Sequence, residues 1–503
     1  MTNSATQLFK IDSSDIKSHI SSLTPQSPST EIYDLIAKAI RSGVELEKIF
    51  TQIQERTGVD VEDLRFAGRV IRRNADYPVT SEAVALTIDA RTQLFGHGML
   101  LRRTADGRLW RFFETHWNPV DPGDLRPALT NMALEYPARY GGHRNIAAAV
   151  TLLRDLAPVD DQLVALPAQV INVSNCELRI GESGELERHL HRPESRLTRV
   201  LPVKYDANAS CPELYGMLGG MFERTSEPSE MVRHIVELLG YAIQPVRNIP
   251  TIVILWGGGS NGKTKILEIL QKLLGPKQVY SGTLGHISAD RFTLPNLEGK
   301  LLFVEDDASS SVRLDDGLLK KLCENKLIDT RRVASRSGMS FYSTILPIIA
   351  GNNVPEINDT SEGMRRRLQV IIFERSFGLG ERDDELANRI VANELPGVLN
   401  LVLAGLVRLR KRGDFAPPQR CLQARDELLI AANPLLSFLD DACERRHGVR
   451  IGIRDLYCTF CEWMRAQRRA PPFGEQGLSP RLQGLGFRVH KNDQMVVEGL
   501  CLK

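Results

Sequence analysis

The sequence lacks the features that mark a membrane-spanning or secreted protein. Its 503 residues contain no run of about 18 uncharged apolar residues, the length that a membrane-spanning helix needs. The opening segment, MTNSATQLFKIDSS, does not show the basic stretch followed by an apolar stretch that is typical of a signal peptide. We therefore expect a cytoplasmic protein with no membrane partner.

The sequence also lacks a large surplus of charge and a zinc-binding cysteine pattern. The formal net charge is +2, so any binding of nucleic acid has to depend on local basic clusters. Cys458 and Cys461 form the one Cys-x-x-Cys pair, and no second pair stands at zinc spacing. We interpret these two cysteines as core thiols of a helix. The chain is long enough for about three domains.

The most informative stretch that is present covers residues 251–275. It begins with TIVILW, an apolar run typical of a strand buried on both faces. It continues with GGGSNGKT, which fits Gly-x-x-x-x-Gly-Lys followed by Ser or Thr, the phosphate-binding P-loop. It ends with KILEILQKLLG, whose apolar residues recur at helical spacing before a glycine stop. Strand, glycine-rich turn and helix thus follow in the order that phosphate binding requires.

The chemistry of this loop indicates a nucleoside triphosphate, which we take to be ATP, together with Mg²⁺. Glycines allow successive backbone N–H groups to face phosphate oxygens, and the helix directs its positive end at the same anion. Lys263 is expected to reach the β- and γ-phosphates, and the Thr264 hydroxyl to hold Mg²⁺. The predicted nucleotide-binding residues are Gly257, Gly258, Gly259, Ser260, Asn261, Gly262, Lys263 and Thr264.

Acidic and amide side chains follow two later apolar strands. In GKLLFVEDDAS the strand from Leu301 to Val304 leads into three acids, Glu305, Asp306 and Asp307. Beside a P-loop, one such acid orients Mg²⁺ and another polarises the attacking water, so three acids compete for two roles. Glu305 and Asp306 are candidate metal ligands with Thr264. In FYSTILPIIAGNNVPEI, Asn352 ends a strand and is a candidate sensor of the γ-phosphate.

Three adjacent arginines precede the next apolar strand, in GMRRRLQVIIF. Arg365, Arg366 and Arg367 form either a solvated basic surface or the source of a guanidinium that enters a neighbouring nucleotide site and neutralises charge in the transition state. The residues themselves leave both interpretations open.

Together these motifs resemble the superfamily 3 helicase module of phage, plasmid and poxvirus primase-helicases, a branch of the AAA+ ATPases. The resemblance depends on SNGKT, the acidic strand end, NNVP and RRLQVIIF, and it extends upstream to about residue 165. It implies that Lys263, the acids and Asn352 are catalytic and that Arg366 is an arginine finger acting in trans. It also implies a DNA-contacting hairpin with Lys320, Arg331, Arg332 and Arg336 as candidates.

The resemblance and the sequence pattern together predict a multidomain α/β protein. The expected parts are a helical region (1–80), a small β+α module (81–164), a segment of strands then helices (165–246), the AAA+ ATPase core with a helical extension (247–415) and a winged-helix-like domain (416–503). Residues 1–80 show no metal-binding carboxylate motif that would support a primase. In SEMVRHIVELLGYAI, Gly240 predicts the end of a helix.

The small module contains a predicted β-hairpin around Asp106 and Gly107. Its aromatic residues Trp110, Phe112 and Trp117, beside several arginines, either stack on a single nucleic-acid strand or form a core. We favour the core.

The function predicted from the resemblance is an ATP-dependent replicative DNA helicase of a phage, plasmid or other mobile element, acting in a bacterial or phage-infected cell. It would form a homo-oligomeric ring, a hexamer by expectation, that moves along single-stranded DNA at a fork, and a separate primase is a candidate partner. An alternative is a non-motor AAA+ switch that binds DNA in origin recognition or defence. A small-molecule kinase is a third interpretation, which leaves the arginines and the basic hairpin without a purpose.

Overall fold

The computed structural model describes residues 13–73, 80–96, 98–289, 292–306, 308, 316–331, 339–352, 357, 359, 361–432, 434–467, 470–471, 473–491 and 494–503. The chain folds into two compact units. The first contains most of the chain up to residue 200, and the second contains residues 201–503 with two short earlier segments.

The first unit packs helices around a three-stranded antiparallel sheet. Its helices are α1 (Ser13–Ser22), α2 (Ser29–Arg41), α3 (Leu46–Thr57), α4 (Val61–Arg73), α5 (Ser81–Phe95), α6 (Arg126–Glu135), α7 (Pro137–Tyr140) and α8 (Ile146–Leu156), and its strands are β1 (Leu101–Arg103), β2 (Leu109–Phe113) and β3 (His116–Val120). Ile36, Ile53 and Leu64 are fully buried in its core. The short helices predicted before residue 80 are therefore present in the described part of that region.

The predicted hairpin is formed by β1 and β2. Arg103 lies opposite Leu109, and Gly107 in the turn between them adopts a φ of 85°, which favours glycine. Trp110, Phe112 and Trp117 are 6, 8 and 1% exposed. The interpretation of these aromatic side chains as a core is therefore confirmed, and they offer no stacking surface to a nucleic acid.

A second three-stranded sheet follows in the chain. It has the order β4-β5-β6 and consists of β4 (Val170–Val173), β5 (Cys176–Ile180) and β6 (Leu186–His189). The strand-rich pattern that begins near residue 165 is thereby confirmed.

The second unit is built on a five-stranded parallel sheet. Its strands are β7 (Ile252–Gly257), β8 (Val279–Ser281), β9 (Leu302–Glu305), β12 (Leu346–Gly351) and β13 (Leu368–Phe373), in the order β13-β7-β12-β9-β8. The separate hairpin β10 (Leu327–Thr330) and β11 (Met339–Tyr342) is antiparallel. Because parallel strands place their carboxyl ends at one edge, the residues after β7, β9 and β12 meet there.

Helices precede, connect and follow these strands. They are α9 (Pro212–Phe222), α10 (Pro228–Ile243), α11 (Lys263–Leu274), α12 (Leu284–Ala289), α13 (Asp316–Leu322), α14 (Glu362–Arg365), α15 (Leu386–Asn393), α16 (Leu395–Arg412) and α17 (Gln419–Ala432). The prediction that α10 ends at Gly240 is wrong, since the helix continues to Ile243. Gly240 lies against the backbone of α16, and its lack of a side chain serves this close approach.

The last part of the chain contains α18 (Pro434–Ala442), β14 (Cys443–Gly452), α19 (Ile453–Ala466), α20 (Leu478–Gly484), β15 (Arg488–Lys491) and β16 (Met495–Leu502). The strands form an antiparallel sheet in the order β14-β16-β15. Cys458 and Cys461 lie on α19 as predicted, but Cys458 is exposed and Cys461 only half-buried. Their interpretation as core thiols is therefore wrong for Cys458.

Among the described residues, no single helix is long and apolar enough to span a membrane. The pair α15 and α16, bent by 87° at the break between them, meets the criteria of length and composition together. Leu399, Val402 and Leu403 of α16 are fully buried within the protein, as in the core helix of a globular domain.

Candidate nucleotide-binding site

The glycine-rich loop joins β7 to α11 at the carboxyl edge of the parallel sheet. Ser260 and Gly262 both adopt left-handed backbone conformations, with φ of 59° and 89°. A Cβ atom at Gly262 would lie 2.1 Å from Cε of Met221, and one at Gly257 would lie 2.5 Å from the carbonyl oxygen of Phe373. Gly257 faces backbone and Gly262 has a left-handed φ, so this shape of the loop favours glycine at both positions.

Lys263 is the first residue of α11, and its side chain turns back into the loop. Its Nζ donates hydrogen bonds to the carbonyl oxygens of Gly257 at 2.7 Å and Gly258 at 3.0 Å. It also donates to the side-chain oxygens of Asn261 at 3.1 Å and Asn352 at 3.2 Å. The ammonium group is thus held by neutral oxygens, which a phosphate group can replace with a stronger, charge-assisted partner.

A pocket of about 580 Å³ opens beside this loop. The first part of its lining comes from the loop, the start of α11 and the tips of β9 and β12: Gly259, Ser260, Asn261, Gly262, Lys263, Thr264, Lys265, Asp306, Gly351 and Asn352. The second part comes from α9 and the segment after β13: Gly216, Met217, Gly220, Met221, Phe377, Glu381, Arg382, Asp383, Asp384 and Leu386. The structure therefore brings the P-loop lysine, one acid and the candidate sensor amide to one pocket.

The first part of the pocket lining fits a triphosphate and Mg²⁺. The twelve-residue helix α11 begins at the loop, so its positive end and its free N–H groups face the same space as Lys263. The hydroxyl of Thr264 and the carboxylate of Asp306 would supply oxygen ligands of the kind that Mg²⁺ takes beside phosphates. Within the described ranges no group of three or more His, Cys, Asp or Glu side chains could hold a metal ion by itself.

The three candidate acids do not share one environment. Glu305 is 2% exposed, and its Oε2 accepts a hydrogen bond from the backbone N–H of Leu284, at the start of α12, at 2.8 Å. Burial raises the pKa of Glu305, and its Oε1 has no hydrogen-bond partner among the described residues. Asp306 is exposed and lines the pocket, whereas Glu305 does not. Asp307 lies outside the described residues.

The three adjacent arginines also differ. Arg365 donates through Nη2 to Asp426 at 2.9 Å, and Arg367 donates through Nε to Glu324 at 3.1 Å. The side chain of Arg366 is exposed and has no hydrogen-bond or ion-pair partner among the residues that the structure describes. The three arginines do not line the pocket of their own chain.

The candidate DNA-binding residues lie on two elements. The predicted hairpin is present as β10 and β11, with Leu327 opposite Tyr342 and Thr330 opposite Met339. Arg331 follows β10 directly and is exposed. Lys320 lies instead on α13, where it forms an ion pair with Asp359. Arg332 and Arg336 lie outside the described residues.

The second part of the pocket lining was not expected from the sequence. The helix pattern of PELYGMLGGMFE indicates an ordinary amphipathic helix, yet Gly216, Met217, Gly220 and Met221 line the pocket. The one available signal was its three glycines, each of which costs a helix about 1 kcal/mol relative to alanine. Glycine inside a helix is typical of a surface that another group approaches closely.

Two family models match parts of the chain. One is described as a family of unknown function, DUF5906, and matches residues 255–367, which include the P-loop, the acids, Asn352 and the arginines. The other is described as D5 N terminal like and matches residues 92–223.

The chain is also similar to curated and solved proteins. It is 23% identical over 299 residues to "Putative helicase L207/L206" of Acanthamoeba polyphaga mimivirus, covering 54% of this chain and 31% of that protein. The chain thus spans about a third of its relative's length.

Two apo structures of the NrS-1 C-terminal region also resemble the chain. One has a TM-score of 0.44 at 13% identity and covers 82% of this chain and 97% of that one. The other has a TM-score of 0.43 at 15% identity and covers 67% and 73%. The family matches and the viral relative confirm the resemblance to a phage-type superfamily 3 helicase that the motifs predicted.

Proposed function

We propose that the protein is an ATP-dependent DNA helicase of a mobile element, working as a ring on single-stranded DNA. The observation that carries this proposal is the shared pocket of Lys263, Thr264, Asp306 and Asn352, at one edge of the parallel sheet. A glycine-rich loop, an acid and an amide at that edge suit phosphoryl transfer to water. The relationship to a viral helicase supports DNA as the substrate.

In this proposal each of the four residues named above has one role. Lys263 exchanges its neutral partners for β- and γ-phosphate oxygens, and Asn352, which now touches Lys263 at 3.2 Å, orients the attacking water. Thr264 and Asp306 would hold Mg²⁺, which when bound supplies positive charge to the phosphates. Asp306 is preferred over Glu305 for this role because Asp306 alone of the two lines the pocket. Glu305 instead secures α12 through the N–H of Leu284.

We also propose that Arg366 completes the site of a neighbouring subunit. Arg365 and Arg367 are engaged with carboxylates of their own chain, whereas Arg366 is exposed. An exposed guanidinium that has no partner in its own chain among the described residues can enter another subunit's site without first breaking an ion pair. This favours assembly into a ring, by expectation a hexamer.

The hairpin of β10 and β11 is the proposed contact with DNA. Arg331 follows β10, and Arg332 and Arg336 belong to the same connection in the sequence. Arginines on a hairpin suit contacts to phosphates, which grip a strand without regard to its sequence. Lys320 would first have to leave Asp359, so it is the weakest of the four candidates. The order of α18 to β16 suits a winged helix, a second surface for duplex DNA.

The test is strand displacement from a forked duplex by the full chain with ATP and Mg²⁺. We expect the wild type to displace the strand, and Lys263→Ala to reduce both displacement and ATP hydrolysis by about a hundredfold or more, because the positive charge that stabilises the transferred phosphate is lost. Lys272→Ala, on the exposed side of α11, is the matched control and should retain both activities.

Two outcomes contradict the motor. ATP hydrolysis stimulated by single-stranded DNA without displacement indicates the non-motor switch. A rate of ATP hydrolysis per subunit that changes neither with DNA nor with the assembly of subunits at higher protein concentration indicates a small-molecule kinase.

A further inference from the structure

Arg375 lies just beyond β13 and joins two separate parts of the second unit. Its side chain is 13% exposed, and its Nη1 donates to the carbonyl oxygen of Gly220, in α9, at 2.9 Å. The same guanidinium forms ion pairs with Glu223 at 2.8 Å and with Glu381 at 2.9 Å. It also stacks over the ring of Phe377 at 4.5 Å. One side chain thus connects α9 with the segment that follows β13.

That segment, residues 375–384, is fastened to the nucleotide loop as well. The N–H of Phe377 donates to the carbonyl oxygen of Ser260 at 2.7 Å. Lys265, next to Thr264 in α11, donates through Nζ to the carbonyl oxygen of Asp384 at 2.8 Å. Glu381 receives a second hydrogen bond from the N–H of Gly378 at 2.9 Å, which fixes the turn between them.

These contacts hold together the second part of the pocket lining, which α9 and the segment after β13 supply. Gly220 and Phe377, both bound to or stacked on Arg375, line the pocket, as does Glu381. This part of the lining combines glycine, methionine and aromatic surface with a few carboxylates, so it differs chemically from the part that includes Lys263 and Thr264. It suits a flat, partly apolar group that carries hydrogen-bond donors. A nucleobase with its ribose is such a group.

We propose that Arg375 is a positioning residue that holds α9 and residues 377–384 together as the nucleoside-binding wall of the pocket. This inference rests on the proposed nucleotide function of the same pocket. Arg375 does not line the pocket itself, so it acts through Gly220, Phe377 and Glu381. Its loss should weaken the binding of the whole nucleotide while leaving the residues that act on the phosphates in place.

The test measures binding of a fluorescent ATP analogue, and KM and kcat for ATP, with the full chain. Arg375→Ala should raise the Kd and the KM about tenfold, since charge-assisted hydrogen bonds that fix the wall are lost. The value of kcat should change far less, and Arg375→Lys should recover part of the affinity. Arg420→Ala is the matched control: Arg420 is also largely buried and pairs with two carboxylates, Glu374 and Glu427, but does not line or support the pocket.

A cycle with Glu381→Ala separates positioning from general stability. If the two residues hold one wall, Arg375→Ala combined with Glu381→Ala should weaken binding little more than either change alone. A lower Tm with unchanged Kd in Arg375→Ala, or an equal loss of affinity in Arg420→Ala, would overturn the inference. Wild-type protein that fails to bind the analogue would instead overturn the nucleotide function itself.

Discussion

His234, in α10, is a buried histidine of the second unit. It is 1% exposed, and its ring meets that of Phe415 edge to face at 6.0 Å between centroids. Burial, together with the nearby positive charge of Arg412, lowers the pKa of His234 to about 3. The imidazole is therefore neutral in the folded protein at every pH at which the protein is normally handled.

This depressed pKa predicts a loss of stability in mild acid. Below the ordinary histidine pKa of about 6.5 the unfolded chain takes up a proton that the folded chain refuses, so the free energy of unfolding falls by up to about 1.4 kcal/mol per pH unit. Chemical unfolding at pH 7, 6 and 5 should show this slope in the wild type and a flatter one in His234→Gln. The exposed His143→Gln should keep the wild-type slope, and a wild-type slope in His234→Gln as well would contradict the assignment.

At this scale the sequence could identify residue types but not which of several neighbours acts. The motif pattern pointed to Glu305, Asp306 and Asp307 together, and only the side-chain directions separate Asp306 in the pocket from Glu305 at α12. Similarly, Arg365 is engaged by Asp426, 61 residues away, a contact that no local pattern contains. Adjacent like residues are distinguished by partners that are distant in sequence.

Among the elements, α10 and α16 form a contact that depends on reciprocal glycines. A Cβ atom at Gly240 would lie 2.3 Å from the carbonyl oxygen of Val402, and one at Gly405 would lie 2.6 Å from the carbonyl oxygen of Val236. Each helix thus lays its backbone on the other at a glycine. In the sequence Gly240 resembles a helix stop because glycine is typical both of helix ends and of close helix contacts.

We expect Gly405→Ala to destabilise the second unit by about 1–3 kcal/mol, because the added methyl group pushes two backbones apart. Gly219→Ala in α9 is the matched control, since no atom lies within 4 Å of its added Cβ. That change should be neutral or stabilising by up to about 1 kcal/mol, through helix propensity alone. Thermal unfolding of both variants tests the pair, and equal Tm values would refute the close contact.

Over the whole molecule, the sequence predicted that the candidate acids and the candidate amide come at the ends of apolar strands, as Glu305, Asp306 and Asn352 do in the structure. The parallel order β13-β7-β12-β9-β8 places the tips of β7, β9 and β12 next to one another. The nucleoside-binding wall could not be predicted in this way. It depends on Arg375 meeting Gly220 across 155 residues of chain, and neither residue belongs to a motif.

The largest prediction concerns a site shared by two subunits. Arg366 is exposed and does not line the pocket of its own chain, whereas Lys263 does. Arg366→Ala should therefore retain nucleotide binding but lose about a thousandfold in hydrolysis, as expected for an arginine finger. Arg365→Ala removes only a half-exposed ion pair with Asp426 and should hydrolyse ATP almost normally.

Mixing two inactive variants distinguishes a finger in trans from one that acts within its own chain. The Lys263→Ala subunit keeps Arg366, and the Arg366→Ala subunit keeps Lys263. An interface is therefore complete when Arg366 of the first subunit enters the nucleotide site of the second. With random mixing in equal amounts, about a quarter of the interfaces in a head-to-tail ring should be complete and should restore ATP hydrolysis to that extent. As a control, a double variant that carries both Lys263→Ala and Arg366→Ala should restore no ATP hydrolysis when it is mixed with either single variant. The mixture has to be tested at concentrations at which the wild type is assembled and active. If ATP hydrolysis does not recover there, Arg366 is not a finger that acts in trans.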